Sequence, residues 1–184
     1  MMRMFTKQTL SAILLFAGLA AAVPALAAVL PDSCGSDGTT FSVKTKKDQP
    51  APAAPEAGKA QIVFIENFAQ NNGACIDCKV TTRVGVDGAW VGADHGNSYF
   101  AYGVPPGEHH LCADWQSALG RLKKKVGLAS MDAEAGKTYY YQIRVRIPHK
   151  ASFGAMQLEL APLDPDEGKY LAKIDPLATA TAKK

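Results

Sequence analysis

Thr138-Tyr139-Tyr140-Tyr141-Gln142-Ile143-Arg144-Val145-Arg146-Ile147 is the longest alternating run in the chain. Tyr139, Tyr141, Ile143, Val145 and Ile147 share one face, and Tyr140, Gln142, Arg144 and Arg146 share the other. That period of two belongs to a strand with one buried face. A turn, Glu134-Ala135-Gly136-Lys137, precedes it.

The same strand period recurs along the rest of the chain. Gln61 to Glu66 is a short apolar run of the kind expected of a central strand. Val80, Thr82, Val84 and Val86 alternate with Thr81, Arg83 and Gly85, which predicts one buried face. Asp87-Gly88 is a strong hairpin signal, and Trp90-Val91 starts the return strand. Ser98 to Val104 ends at Pro105-Pro106-Gly107. Glu108 to Trp115 follows, with Leu111, Ala113 and Trp115 inward, and then Lys125 to Ser130. Gly154 to Leu160, with Met156, Leu158 and Leu160 inward, closes the sheet, and Phe41 to Thr45 is a short edge strand. Strands separated by Gly/Pro turns predict an all-β fold, an antiparallel β-sandwich of about seven to nine strands. One short C-terminal helix is added: Asp164 as N-cap, Pro165 first, Glu167 as capping partner, running to about Lys173 with Gly168 weakening it.

The 184 residues are 47% hydrophobic and 20% charged, which excludes a disordered chain, and no Gly-x-y or heptad period is present. The net charge is +3, or +1 once Arg3 and Lys7 are set aside (3 − 2), so nothing favours nucleic acid or an anionic membrane as partner. Those two residues open a Sec-type signal peptide, residues 1–27: a positive start, an apolar run from Leu10 to Val23, and Ala25-Leu26-Ala27 as a cleavage site after Ala27. The run of about 14 residues is short of the ~20 that span a bilayer. Later segments predict no transmembrane span, so the mature protein is expected to be exported, in periplasm or cell envelope. Pro31, Asp32 and Ser33 before Cys34 make a poor lipidation site. Residues 28–58 read as an N-terminal extension with a Pro/Ala linker (Gln49 to Pro55), 59–173 as the β-sandwich domain, and 174–184 as a disordered tail with nothing to bury.

The cysteines are Cys34, Cys75, Cys78 and Cys112, and an even count in an exported chain reads as two disulfides with three possible connectivities. Cys75-Ile76-Asp77-Cys78 follows Asn71-Asn72-Gly73 and precedes a β-rich stretch, so it reads as a loop staple, with thiol-redox chemistry as the alternative. Cys75, Cys78, His110 and Cys112 would also supply a tetrahedral zinc set, a weaker reading in an oxidising space.

Several stretches then fall in one order. Pro55-Glu56-Ala57-Gly58-Lys59-Ala60 leads into the strand at Ile62 to Ile65. Val86-Asp87-Gly88-Ala89-Trp90-Val91-Gly92, Asn97-Ser98-Tyr99-Phe100 and Val104-Pro105-Pro106-Gly107-Glu108-His109-His110-Leu111 follow. Ala135-Gly136-Lys137-Thr138-Tyr139-Tyr140 precedes the long strand, and Asp166-Glu167-Gly168-Lys169 follows the last one. Over about residues 55–173 this resembles the DUF2846 family of exported bacterial proteins, and is similar in logic to PEGA-type surface β domains. The resemblance implies a small cell-envelope β-sandwich with no established activity and no catalytic residues to carry over. The absent lipidation site, the four cysteines and the Asn71 to Cys78 loop depart from that pattern.

Other chemistry is thin. Gly136-Lys137-Thr138 is no phosphate loop, since Met131 stands where the first glycine belongs and a strand follows. No Gly-x-Ser-x-Gly elbow occurs, and Asp164-Pro165-Asp166 lacks the rest of a calcium loop. His95 reads as a turn residue. Glu108, His110, Cys112 and Asp114 are expected to share a solvated outer strand face. Arg121, Lys123, Lys124 and Lys125 form a basic loop that Arg144 and Arg146 extend if they adjoin it. The sequence therefore predicts a non-enzymatic envelope module, without a cofactor, that binds an envelope protein or polysaccharide.

Overall fold

The computed structural model describes residues 31–48, 51–67, 80–116, 126–146 and 157–183. Among them ten strands form two sheets. One holds six strands in the order β1 (Phe41–Lys46), β10 (Leu177–Ala182), β5 (Ser98–Val104), β2 (Ala60–Glu66), β8 (Thr138–Arg146) and β9 (Gln157–Pro162). The other holds β4 (Ala89–His95), β3 (Thr81–Val86), β6 (Gly107–Trp115) and β7 (Gly127–Ala133). The sandwich expected from alternation is present, with one strand more than the upper count. Two neighbours run parallel, β2 with β8 and β10 with β5, and the other pairings are antiparallel.

The main core lies between the sheets, where Ile62, Phe64, Phe100, Ile143 and Leu160 of one meet Val84, Leu111 and Ala113 of the other. Phe64 and Phe100 stack at 5.2 Å between ring centroids. A second core lies on the far side of the six-stranded sheet, under α1 (Pro165–Ile174): Val63, Ile65, Tyr99, Tyr140, Leu171 and Ala172. The helix explains why β2 reads as an unbroken apolar run, because both faces of that strand are covered. Asp164 caps α1 by accepting from the Asp166 amide at 2.9 Å. Gly168 has a packing reason: a Cβ there would overlap the Tyr140 ring.

Asp87 (φ 50°) and Gly88 (φ 83°) make the two-residue turn between β3 and β4 with both central residues left-handed, as the hairpin dipeptide requires.

Three expectations are corrected. Residues 174–184 do not form a disordered tail: Leu177–Ala182 is β10, paired along its length with β1. Alternating Ala and Thr give it strand character, and Ala178 is buried. The domain boundary at residue 59 moves as well: Phe41–Lys46 is the edge strand expected there, but it pairs with β10, and Cys34 is bonded to Cys112, so both belong to the same body. Finally, β3 is buried on both faces, and so are Cys112 and Asp114 of β6. Residues 31–40 cover the outer face of that sheet, which alternation within β3 and β6 alone does not reveal.

Candidate functional site

β5 pairs with β2 over its whole length, from Ser98 to Val104. On its other edge it meets β10 at a single bridge, Leu177↔Tyr99, where the Tyr99 amide donates to the Pro176 carbonyl at 3.0 Å. Beyond that bridge the two strands part. Period two along β5 puts the amides of Ala101 and Gly103 on the same edge as that of Tyr99, and Ala101 lines the gap. The gap is a groove of about 430 Å³, floored by Val91, Gly92 and Phe100 and walled by Ala101, Ala178 and Ala180. Pro52, in the Pro/Ala segment, lines its rim.

At the vertex of the groove stands a buried carboxyl cluster. Glu66 ends β2 and Asp94 lies near the end of β4; both are fully buried. Glu66 Oε1 accepts from Thr82 Oγ1 at 2.5 Å, and Asp94 Oδ1 from Ser98 Oγ at 3.2 Å. Glu66 Oε2 and Asp94 Oδ2 have no hydrogen-bond partner among the described residues. Asp175 follows α1 and accepts from Asn67 Nδ2 at 3.0 and 3.3 Å. No ion pair among the described residues includes any of the three. Burial pushes Glu66 up to about 8, against the Thr82 and Gly96 hydrogen bonds that favour its ionised form. Asp94 is raised well above the usual range by burial, and further by the neighbouring Glu66 and Asp175 charges. Burial also raises Asp175, partly offset by Asn67.

A second titratable group locks the turns at the other end of these strands. His109 Nδ1 lies 2.6 Å from Asp87 Oδ2, and Nε2 lies 2.8 Å from the Pro105 carbonyl. Both ring nitrogens face acceptors, so the arrangement suits an imidazolium donating twice. Burial disfavours that charge, but the Asp87 and Pro105 hydrogen bonds and the Asp87 charge outweigh it and hold the pKa above the usual imidazole value. Asp87 is desolvated as well. Its bonds from the His110 amide and His109, with the charge of both rings, still bring its pKa below the usual carboxylate value.

On the outer face of the four-stranded sheet, residues 31–40 are clamped down. Cys34 and Cys112 form a disulfide with their Cα atoms 5.2 Å apart. Arg83, almost fully buried, reaches Asp114 Oδ2 through Nε (3.0 Å) and Nη2 (2.6 Å), and the carbonyls of Asp37 (2.9 Å) and Thr39 (2.6 Å) through Nη1. Its guanidinium stacks 4.3 Å from the Trp90 ring centroid, and Trp90 Nε1 donates to the Ser36 carbonyl at 2.8 Å.

This arrangement overturns the zinc reading. Cys112 is bonded to Cys34 and buried, so it offers no thiolate, while His110 is exposed and lies 3.8 Å from Glu108. The solvated row of Glu108, His110, Cys112 and Asp114 holds only for its first two members. Arg144 is engaged by Glu159 at 3.2 and 3.3 Å, and Arg146 is exposed. Cys75, Cys78, Arg121, Lys123, Lys124, Lys125 and residues 1–27, read above as a signal peptide, lie outside the described residues. Among the described residues, no three His, Cys, Asp or Glu side chains are placed to hold a metal ion, and no helix is long and apolar enough to cross a membrane.

Sequence reasoning missed Glu66, Asp94, His109 and Arg83. One signal was available: Glu66 continues the face of Ile62 and Phe64, which places a carboxyl at the end of a core stripe. Neither a family model nor a curated protein matches the chain.

Proposed function

We propose that this chain is an exported cell-envelope β-sandwich of the kind the DUF2846 resemblance implies, and that it acts as a non-enzymatic module binding a protein partner. The observation that carries the reading is the split in the six-stranded sheet. An open strand edge above an apolar floor suits an extended protein segment, which gains main-chain hydrogen bonds from the edge and side-chain contacts from the floor. That geometry favours a protein over a polysaccharide as occupant. A disulfide between Cys34 and Cys112 is compatible with an oxidising compartment.

The test is site-specific photocrosslinking in cells. A photoreactive residue at Ala101 or Thr179, in the groove, is expected to give one discrete protein adduct, and the same residue at Tyr170, exposed on α1, none. Equal adducts from all three positions, or none from the groove, contradict the reading. N-terminal sequencing of the same protein is expected to begin at Ala28.

One observation favours a second reading. The Cys34–Cys112 bond leaves Cys75 and Cys78 as the remaining cysteines, so that pair is not committed to the clamp. Periplasmic thiol-redox activity would require Cys75 and Cys78 to exchange readily at a glutathione-like poise while Cys34–Cys112 resists it. A Cys75–Cys78 bond inert under those conditions removes that reading.

A further inference from the structure

The carboxyl cluster and the groove meet at one point of the chain. Ser98, which donates to Asp94, directly precedes Tyr99, and Asp175 directly precedes Pro176. The only bridge holding β10 against β5 is made by Tyr99 and the Pro176–Leu177 segment. The strand contact that closes the groove is therefore flanked on β5 by Ser98, which donates to buried Asp94, and on the other side by half-buried Asp175.

We propose that this vertex is a proton-operated hinge: with Glu66 and Asp94 protonated β10 stays closed on β5, and with them ionised the Leu177↔Tyr99 bridge releases and the groove widens. Its meaning for binding rests on the reading of the groove as the binding surface; the hinge itself does not.

The groups that face the cluster come from six elements. β2 brings Glu66, followed by Asn67, whose amide holds Asp175. β3 brings Thr82 and Thr81, and β4 brings Asp94 and His95, whose Nδ1 lies 3.0 Å from Thr81 Oγ1. β5 brings Ser98. β6 brings Trp115, opposite Thr82 in register, whose buried Nε1 has no partner. The end of α1 brings Asp175, and the lysines of that helix, Lys169 and Lys173, are exposed.

No described cation compensates the acids, so every charge gained there is a buried one. A desolvated carboxylate without a counter-ion is costly, and two or three of the same sign at close range repel. The strain is relieved by admitting water. Glu66 and Asp94 are anchored within long ladders of β2 and β4, whereas β10 is held to β5 by one bridge. The weakest joint beside the cluster is the one that opens.

The experiment is amide hydrogen exchange on the full exported chain, followed by NMR without any ligand. After correction for intrinsic base catalysis, the Tyr99 amide is expected to exchange about tenfold or more faster at about pH 9 than at about pH 6, while Ile62, inside β2, holds constant. In Glu66→Gln, and in Asp94→Asn, the acceleration is expected to shrink or vanish. Carbon-detected titration of the Glu66 and Asp94 carboxyls in the unaltered protein is the second measurement, independent of whether either variant folds. The carboxyl that ionises last is expected to track the Tyr99 exchange. A Tyr99 rate that stays flat with pH, an acceleration undiminished in Glu66→Gln, or a Glu66 carboxyl titrating at an ordinary value each overturns the hinge. Because no ligand is used, that result is separable from the crosslinking. Absent adducts with a responsive Tyr99 would sink the binding surface alone, and adducts with a flat Tyr99 the hinge alone.

Discussion

The outer clamp over Arg83 and the vertex at Glu66 are both buried polar sites, and they are built in opposite ways. At the clamp every group has its counterpart: Arg83 meets Asp114 and two carbonyls, Trp90 covers it, and the disulfide fixes Cys34 beneath. At the vertex, among the described residues, three acids stand without a cation and two carboxyl oxygens without a donor. A compensated buried charge fastens a segment permanently. An uncompensated one leaves a region whose stability is set by protons, and in this protein that region is where a sheet opens.

The comparison breaks most sharply at Arg83. Arg83→Ala leaves Asp114 buried without a partner and is expected to cost about 3–5 kcal/mol in denaturant unfolding, with residues 31–40 released to proteolysis. A loss near zero would mean that the clamp does not depend on charge compensation. Next, Cys34→Ser with Cys112→Ser opens a linkage across 78 positions of sequence. The expected loss is about 2–5 kcal/mol, largely from a freer unfolded chain. Under reducing conditions the unaltered protein should lose a similar amount.

A smaller effect is expected at the turn lock. His109 has a raised folded pKa, so its contribution is fully present below an unfolded value of about 6.5 and is lost as pH rises through the folded value. Asp87 is lowered, so its contribution is present above about 4 and lost as pH falls through its folded value. The lock is strongest between the two. Asp87→Asn is expected to cost about 1 kcal/mol near pH 6, because the carboxylate is half-exposed and partly screened, and less near pH 9. Stability profiles of the two proteins that run parallel from pH 5 to 9 would show that His109 is not held as a cation.

The vertex supplies the sign that separates the regions. Glu66 is raised to about 8, so between its unfolded value and that pH the folded chain keeps a proton the unfolded chain has released. Stability from this group is full below about 4.5 and declines as pH rises through that window. Glu66→Gln is expected to flatten the decline while leaving the Arg83 clamp unchanged, as read in melting temperature against pH. A variant that keeps the full slope would place the titrating group elsewhere.

Much of the sandwich was legible because one-dimensional patterns carry it: alternation in Thr138 to Ile147, Asp87-Gly88 for the hairpin, and Asp164-Pro165 for the helix start. What escaped was whatever depends on a distant segment covering a face. Asp114 and Cys112 alternate outward along β6 and would be solvated if residues 31–40 were absent. Leu177 to Ala182 offers too little apolar surface to announce itself as a strand until Phe41–Lys46 lies beside it. His109 carries no signal of its role beside the exposed His110, because the acceptors that hold it, Asp87 and Pro105, belong to two separate turns. The groove was not readable at all, since it exists only where two strands far apart in sequence touch once and diverge.

The most direct test of the central claim, an open strand edge between β5 and β10, is the amide exchange of Ala101 and Gly103 in the free protein at mildly acidic pH. Both are expected to exchange far faster than Ile62 and Phe64 of β2, and to slow when the photocrosslinked partner occupies the groove. Protection of Ala101 and Gly103 equal to that of the β2 amides in the free protein would mean that the edge is already paired, and the binding surface argued from it would not exist.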